Sequence, residues 1–224
     1  MLVLGVDTSG REGSLALARV GAGSFAVLEV VSLAGRQYSA EFVPKLSDVL
    51  ARHGVAKDQV DAYAVASGPG SFTGLRVGLS AVKGLAEIFG KPIAAVSVLE
   101  TMAAAVRQPG TVMCAIDAGR REVFFGEYVV GESPVPSCLR EELVSYEEFG
   151  QLLDANPSRL LITPDATITE LCRFHTQVTH VERPQADAIA QVGALKIESG
   201  QTSTAEALDA NYIRRSDAEI FAKK

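Results

Sequence analysis

The 224-residue chain is 47% hydrophobic yet only 6% aromatic, lacks Trp, and carries a formal net charge of −6. This composition supports one large aliphatic core or two smaller ones, and the acidic balance excludes tight stand-alone binding of nucleic acid through a basic surface. Cys114, Cys138 and Cys172 are scattered and odd in number, as expected of reduced, buried thiols in a cytosolic protein, and the apolar start Leu2 to Val6 meets Asp7 too soon for a signal peptide or a membrane span.

The first elements read as an antiparallel meander. Leu2 to Val6 is a strand ended by Asp7-Thr8-Ser9-Gly10, Ser14 to Val20 returns, and Phe25 to Ser32 follows the Gly21-Ala22-Gly23 turn. Asp7, at the mouth of the first hairpin, has two readings: it caps the turn, or with Thr8 and Ser9 it orients a phosphate or a hydrated metal. A helix is expected from Ser39 to Arg52, with Ser39 as N-cap, Pro44 near the first turn, and Phe42, Leu46, Val49, Leu50 and His53 as its apolar stripe. Gly54 is its stop, and His53 reads as structural.

Val60 to Ala66 is a buried strand. It runs into Ser67-Gly68-Pro69-Gly70-Ser71-Phe72-Thr73-Gly74-Leu75-Arg76-Val77-Gly78, which opens a helix with Leu75, Leu79, Val82, Leu85, Ala86 and Phe89 at helical spacing. In this strand–loop–helix unit Ser71 or Thr73 can cap the helix, and Gly90 and Pro92 close it. Backbone N–H groups and the helix dipole at such a loop suit an anion; a tight turn with close packing explains the same residues. The loop has neither the Lys-Ser/Thr ending of a P-loop nor the spacing of the dinucleotide fingerprint. Gly74, Gly78 and Ala81 form a small-residue stripe, and each interior glycine costs about 1 kcal/mol against Ala. The stripe therefore invites close approach by another backbone, of this chain or of another subunit.

Pro92 to Val96 is a strand and Val98 to Val106 a helix. The pattern then restarts. Thr111 to Asp117, Glu122 to Val130 and Leu139 to Val144 are strands, Tyr146 to Asp154 a helix, and Arg159 to Thr163 a strand. Ile168 to Phe174 is a helix, Gln177 to Val181 a strand, and Ala186 to Ser199 a helix with Ile189, Val192, Leu195 and Lys196 or Ile197 on one side. The chain is thus an internal βββαβαβα repeat, an α/β protein of two halves facing a cleft with Asp7 and Asp117 at equivalent mouths, as in the actin, Hsp70 and sugar-kinase (ASKHA) class. The expected domains are 1–106, 107–200, and a C-terminal segment 201–224 whose stretch Leu208 to Ser216 docks back on the first half.

Four stretches together resemble the TsaB (YeaZ) family over essentially the whole chain. They are Val6-Asp7-Thr8-Ser9, the Gly68–Arg76 loop, Ala115-Ile116-Asp117-Ala118 with Arg121-Glu122-Val123-Phe124, and Tyr212-Ile213-Arg214. The resemblance implies a bacterial cytoplasmic subunit of the machinery that makes threonylcarbamoyladenosine at tRNA position 37. Such a subunit pairs with its catalytic paralogue TsaD, is joined by the ATPase TsaE, meets tRNA only through the complex, and forms a homodimer without TsaD. It further implies a partner interface on the first-half helices, here Phe42, Leu46, Val49, Gly74, Arg76, Val77, Gly78 and Ala81, and makes Gly78→Leu a probe that blocks pairing without unfolding the monomer.

The catalytic paralogue places two histidines four apart as metal ligands. Here His53, His175 and His180 are not so spaced, and Tyr38-Ser39 stands where many relatives have His before Ser or Thr. No catalytic or metal residue is therefore expected, and no cofactor is required. The candidate nucleotide residues are Asp7, Thr8, Ser9, Gly68, Gly70, Ser71, Thr73, Gly74 and Asp117. Ser9 and Arg11 replace the Gly and Thr of the Asp-x-Gly-x-Thr hairpin that sugar kinases favour, so ATP or ADP binding, in the cleft or at the TsaD interface, is expected to be weak. The competing readings are a weak phosphotransferase or ATPase, and a direct tRNA binder using Arg214, Arg215, Lys223 and Lys224. Peptide hydrolysis has no supporting residues.

Overall fold

The computed structural model describes residues 1–35, 37–106, 108–172, 177–211 and 213. Its elements are β1 (Leu2–Asp7), β2 (Gly13–Gly21), β3 (Ser24–Leu33), α1 (Tyr38–Arg52), β4 (Ala62–Gly68), α2 (Phe72–Phe89), β5 (Ile93–Ser97) and α3 (Val98–Ala105). The pattern repeats as β6 (Gly110–Gly119), β7 (Glu122–Val130), β8 (Ser137–Ser145), α4 (Tyr146–Ala155), β9 (Leu160–Thr163), α5 (Ala166–Leu171), β10 (Val178–His180) and α6 (Ala186–Glu198). One sheet has the order β3-β2-β1-β4-β5 and the other β8-β7-β6-β9-β10. In each, the first three strands form an antiparallel meander and the next two add in parallel. The same order of elements builds the same sheet twice, the duplicated α/β architecture of the actin/Hsp70/sugar-kinase class.

The compact units differ from halves taken in chain order. One comprises Met1–Val98 with Pro184–Asn211, the other Leu99–Arg183. The helix that closes the second repeat in sequence, α6, belongs to the first unit, because the two faces of the first sheet carry side chains of different size. Strand periodicity puts Leu2, Leu4, Val6, Leu15, Leu17, Tyr63, Val65 and Ile93 on one face. There they share a buried cluster with Phe42, Leu46, Val49 and Leu50 of α1 and Leu75, Leu79, Val82 and Ala86 of α2. The alternate positions are mostly small, with Gly5, Ala16, Ala18, Ala62, Ala64 and Ala94 beside Val3 and Val96. Against them α6 sets Ala186, Ala190, Gly193 and Ala194, all buried. A Cβ on Gly5 would lie 2.1 Å from the Ala186 carbonyl oxygen, and one on Gly193 2.2 Å from Ala64 Cβ. The buried face of α6 thus adds small residues to Ile189 and Val192, which the spacing places there, whereas Leu195 and Ile197 of the same expected side are only half-buried. The Ala186 N–H at the start of the helix donates to Ser14 Oγ of β2 at 2.9 Å.

In the second unit Met113, Ala115, Val123, Phe125 and Val144 pack with Phe149 and Leu153 of α4 and Ile168 of α5. Phe125 and Phe149 meet edge-to-face at 6.1 Å. Buried Glu127 takes Arg140 at 2.6 Å and also pairs with Arg159. Ser145 and Glu148 form a capping box on α4.

Four local expectations change. The N-cap of α1 is Gln37, so Ser39 lies inside the first turn. Pro44 sits in the helix interior on the exposed side, where water can bond the carbonyl its missing N–H leaves free. Cys138 is exposed, whereas Cys114 and Cys172 are buried; burial pushes the Cys114 thiol well up and Cys172 to about 11, so both stay protonated at neutral pH. The helix expected from Ile168 to Phe174 runs Ala166–Leu171, and Phe174 and His175 lie outside the described residues. Among the described residues no helix is long and apolar enough to cross a membrane.

Gly5→Val should be among the most damaging changes in the first unit. It drives a branched side chain into the backbone of α6, and a loss of about 3 kcal/mol is expected in urea unfolding. A second prediction concerns Glu29 of β3, which accepts Arg52 Nη2 at 2.6 Å and contacts His53 Nε2 at 2.9 Å, tying the end of α1 to the sheet edge. Chiefly the Arg52 hydrogen bond holds this carboxyl below its ordinary 4.5. Its contribution is therefore complete above pH 4.5 and disappears as pH falls through the lowered value. The pair is surface-exposed, so the difference in melting temperature between wild type and Glu29→Gln should be small at pH 7 and vanish as the carboxyl is protonated in acid.

Candidate functional site

The C-terminal ends of β1 and β4 lie side by side in the first sheet, and the loops that leave them are bonded together. Asp7 Oδ1 accepts the Ser9 N–H at 2.8 Å, which folds the chain into an Asx turn. The Ser9 carbonyl accepts the Ser71 N–H at 2.7 Å. Ser71 is the N-cap of α2, its Oγ accepting the Gly74 N–H at 3.2 Å. The glycines set how closely these segments approach. A Cβ on Gly70 would lie 2.4 Å from the Ser9 carbonyl oxygen, one on Gly74 2.1 Å from that of Thr8, and one on Gly78 2.4 Å from Thr8 Oγ1. Gly74 and Gly78 of the small-residue stripe on α2 therefore face the chain's own β1 end.

This changes what the site offers. Thr8 and Ser9 are 1% and 2% exposed, and neither Thr8 Oγ1 nor Ser9 Oγ has a hydrogen-bond partner among the described residues. A buried unpaired hydroxyl costs about 1–3 kcal/mol. Asp7, Gly68 and Gly74 are buried as well, whereas Ser71 and Thr73 at the start of α2 are exposed and Gly70 half-exposed. Eight of the nine candidate nucleotide residues thus gather in the first unit, five of them buried rather than on a surface.

The ninth, Asp117, has a matching place in the second unit. Its Oδ1 accepts the Gly119 N–H at 2.8 Å, as Asp7 accepts that of Ser9, and its own N–H donates to Asp165 Oδ2 at 2.8 Å. Tyr146, the first residue of α4, donates its hydroxyl to Asp117 Oδ1 at 3.3 Å. Burial and the Asp117 charge both raise that phenol. Arg120 and Arg121 form the following turn with φ of 56° and 62°, a left-handed pair without glycine.

Tyr38 is the counterpart of Tyr146, and sequence reasoning missed its role. It begins α1, its ring lies against Gly13 and Gly74, and its hydroxyl donates to the Gly10 carbonyl at 3.0 Å. Burial, then Asp7 and Glu12, raises the phenol, so it remains a donor. A tyrosine opening the helix after the third strand in both repeats was the available signal. Among the described residues no group of three His, Cys, Asp or Glu side chains is placed to hold a metal ion.

The residues expected at a partner interface differ in their exposure. Phe42, Leu46, Val49, Gly74 and Gly78 are buried in their own unit. Val77 and Ala81 keep partial exposure, and exposed Arg76 stacks its guanidinium 3.8 Å over the ring of Phe72.

Comparison with known proteins identifies the chain. A family model described as TsaD, tRNA N6-adenosine threonylcarbamoyltransferase, matches residues 30–159. The tRNA threonylcarbamoyladenosine biosynthesis protein TsaB of Escherichia coli is 36% identical over 161 residues, 68% of each chain. The chain belongs to the TsaB family, within the wider group that the TsaD model describes. Its match to TsaB of Haemophilus influenzae, 37% identical over 132 residues, spans 58% of this chain and about half, 54%, of that protein. The solved YeaZ of Pseudomonas aeruginosa superposes with a TM-score of 0.74 at 26% identity, covering 93% of this chain and 98% of that one.

With Gly78 against Thr8, Gly78→Leu becomes a probe of the fold. It should destabilise the isolated monomer by about 3 kcal/mol in urea unfolding, and a monomer melting as wild type does would show that α2 shifts freely over β1.

Proposed function

We propose that the chain is a non-catalytic, cytoplasmic subunit that pairs with TsaD and activates it in making N6-threonylcarbamoyladenosine at tRNA position 37, with TsaE as a further partner. Membership of the TsaB family carries this reading. The second side of α2 supports it. Val77, Ala81, Gly84 and Ile88 follow one another at i, i+4, i+7 and i+11, with Ile88 75% exposed, and a Cβ on Gly84 would meet nothing among the described residues within 4 Å. On α1 of the same unit Val43 is 60% exposed. This outward stripe, rather than the inward one at Gly74 and Gly78, is the surface proposed to receive TsaD, or a second copy when TsaD is absent.

The alternative, a weak phosphotransferase or ATPase, draws on the unpaired hydroxyls of Thr8 and Ser9. Both are covered, so that chemistry requires α2 to lift from β1. Binding of ATP or ADP through Asp7, Thr8, Ser9 and the Gly68–Gly74 loop has the same requirement.

Reconstitution decides between the two. Purified TsaD and TsaE, tRNA, ATP and threonylcarbamoyl-adenylate should modify tRNA only when this chain is added, while the chain alone turns over no ATP. Gly84→Arg should leave the monomer folded, with a melting temperature equal to or slightly above that of wild type, and weaken TsaD binding by about tenfold or more, roughly 1.4 kcal/mol. ATP turnover by the chain alone, with no effect on TsaD, would establish the enzyme reading.

A further inference from the structure

The stretch Ser203–Asn211 contains no helix or long strand, yet it is fixed to the first unit at three points. Ser203 forms a single antiparallel bridge to Ile93 on the free edge of β5, its N–H donating to the Ile93 carbonyl at 2.8 Å. Leu208 is 1% exposed and enters the first core, with Ala205 and Ala210 packed beside it. Its turn is closed by the Leu208 N–H on the Thr204 carbonyl at 3.0 Å and the Ala207 N–H on Thr204 Oγ1 at 3.2 Å. At the far end, the Asn211 N–H donates to the Ser67 carbonyl at 2.8 Å.

That last contact falls where the sheet leaves a gap. The β4–β5 register passes from Ala66↔Val96 to Gly68↔Ser97, so Ser67 sits in a bulge without a ladder partner. The strap supplies a donor to this buried carbonyl. Gly68 lets it come close: φ there is +133°, and a Cβ would lie 2.8 Å from the Asn211 carbonyl oxygen. The glycine loop is thereby held at both ends, by Asn211 on Ser67 and by Ser9 on Ser71. Leu208 is the anchor that brings the strap to the loop.

We propose that Ser203–Asn211 is a latch on the glycine loop. Seated, it sets the bulge at Ser67 and Gly68 and so the position of the first turn of α2; released, it loosens that turn and weakens binding at the outward stripe of α2. The consequence for TsaD rests on the subunit reading above, whereas the latch itself does not.

Hydrogen exchange on the full-length chain tests it. Leu208→Ala with Asn211→Pro removes the anchor and the N–H donor together. Residues 203–211 should then exchange freely, and amides 70–76 about tenfold faster than in wild type, while β1 and the body of β4 keep their protection. Asn211→Pro alone, which spares the core, should give a smaller change in the same direction. A freed strap over an unchanged loop overturns the latch. So does a strap still protected after both changes, or a loss of protection throughout the unit, since the segment would then be ordinary core. Binding of the double variant to TsaD should fall about fivefold. A loosened loop with unchanged TsaD affinity overturns the coupling, and failure of the wild type to bind TsaD overturns the subunit reading while the exchange result still decides the latch.

Discussion

The first unit depends on one close approach of backbone to backbone. At Gly5 the sheet lies so near α6 that a methyl group would meet the Ala186 carbonyl at 2.1 Å, and at Gly193 the helix comes equally near Ala64. Such an approach maximises dispersion contact and tolerates no added volume. It also demands a fixed helix end, which Ser14 provides by accepting the Ala186 N–H across 172 residues of chain. The sheet thus has one face of large aliphatics for α1 and α2 and one rich in alanine and glycine for α6. The chain leaves this unit at Val98 and returns to it at Pro184, so the unit is complete only when the far end of the sequence arrives.

The same rule, small residues where backbones meet, governs the glycine loop. Gly70, Gly74 and Gly78 bring α2 onto Asp7-Thr8-Ser9 and seal the hydroxyls there. The two repeats have diverged at this point. In the first, Asp7 is buried and Tyr38 bonds the Gly10 carbonyl instead of the carboxylate. In the second, Asp117 stays half-exposed, Tyr146 bonds it directly, and the turn beside it carries Arg120 and Arg121 in left-handed conformation. Each of these costs about 1–2 kcal/mol in an L-residue. The hairpin geometry is therefore preserved in both halves while the surface presented at its mouth differs.

Most of the architecture was legible in the sequence. The period-two and helical patterns of Leu2 to Val96 and their return from Thr111 are local signals, and so is Ser71 as a cap. What was not legible is what each small residue faces. Gly74 and Gly78 announce a close approach but not its partner, and Thr8 lies 66 and 70 positions away in the chain. The face of α6 was legible only in part: Ile189 and Val192 are buried as the spacing predicts, but that spacing also weights Leu195 and Ile197 and passes over Ala186, Ala190 and Gly193, which make the close approach to the sheet. Pro44 shows the limit of a local rule, because an exposed carbonyl can bond water and the helix runs through. Phe42, Leu46 and Val49 were expected at a partner interface, yet an apolar stripe cannot reveal that its own sheet already occupies it.

One residue of α2 remains outside this internal account. Gly74 and Gly78 each offset their helix penalty of about 1 kcal/mol through the contact they permit. Gly84 lies in the same helix with nothing among the described residues within 4 Å of the position a Cβ would take. Alanine there would strengthen the isolated helix without any clash, so the monomer's own stability does not account for glycine. It stands on the stripe with partly buried Val77 and Ala81 and with Ile88, whose side chain is left in water. A flat, small-residue step between exposed aliphatics is what a second helix needs to pack closely. Within the subunit reading, α2 carries two such faces a part-turn apart, one turned inward to hold the hairpin and one turned outward to meet a partner. A shift of its first turn is therefore felt on both.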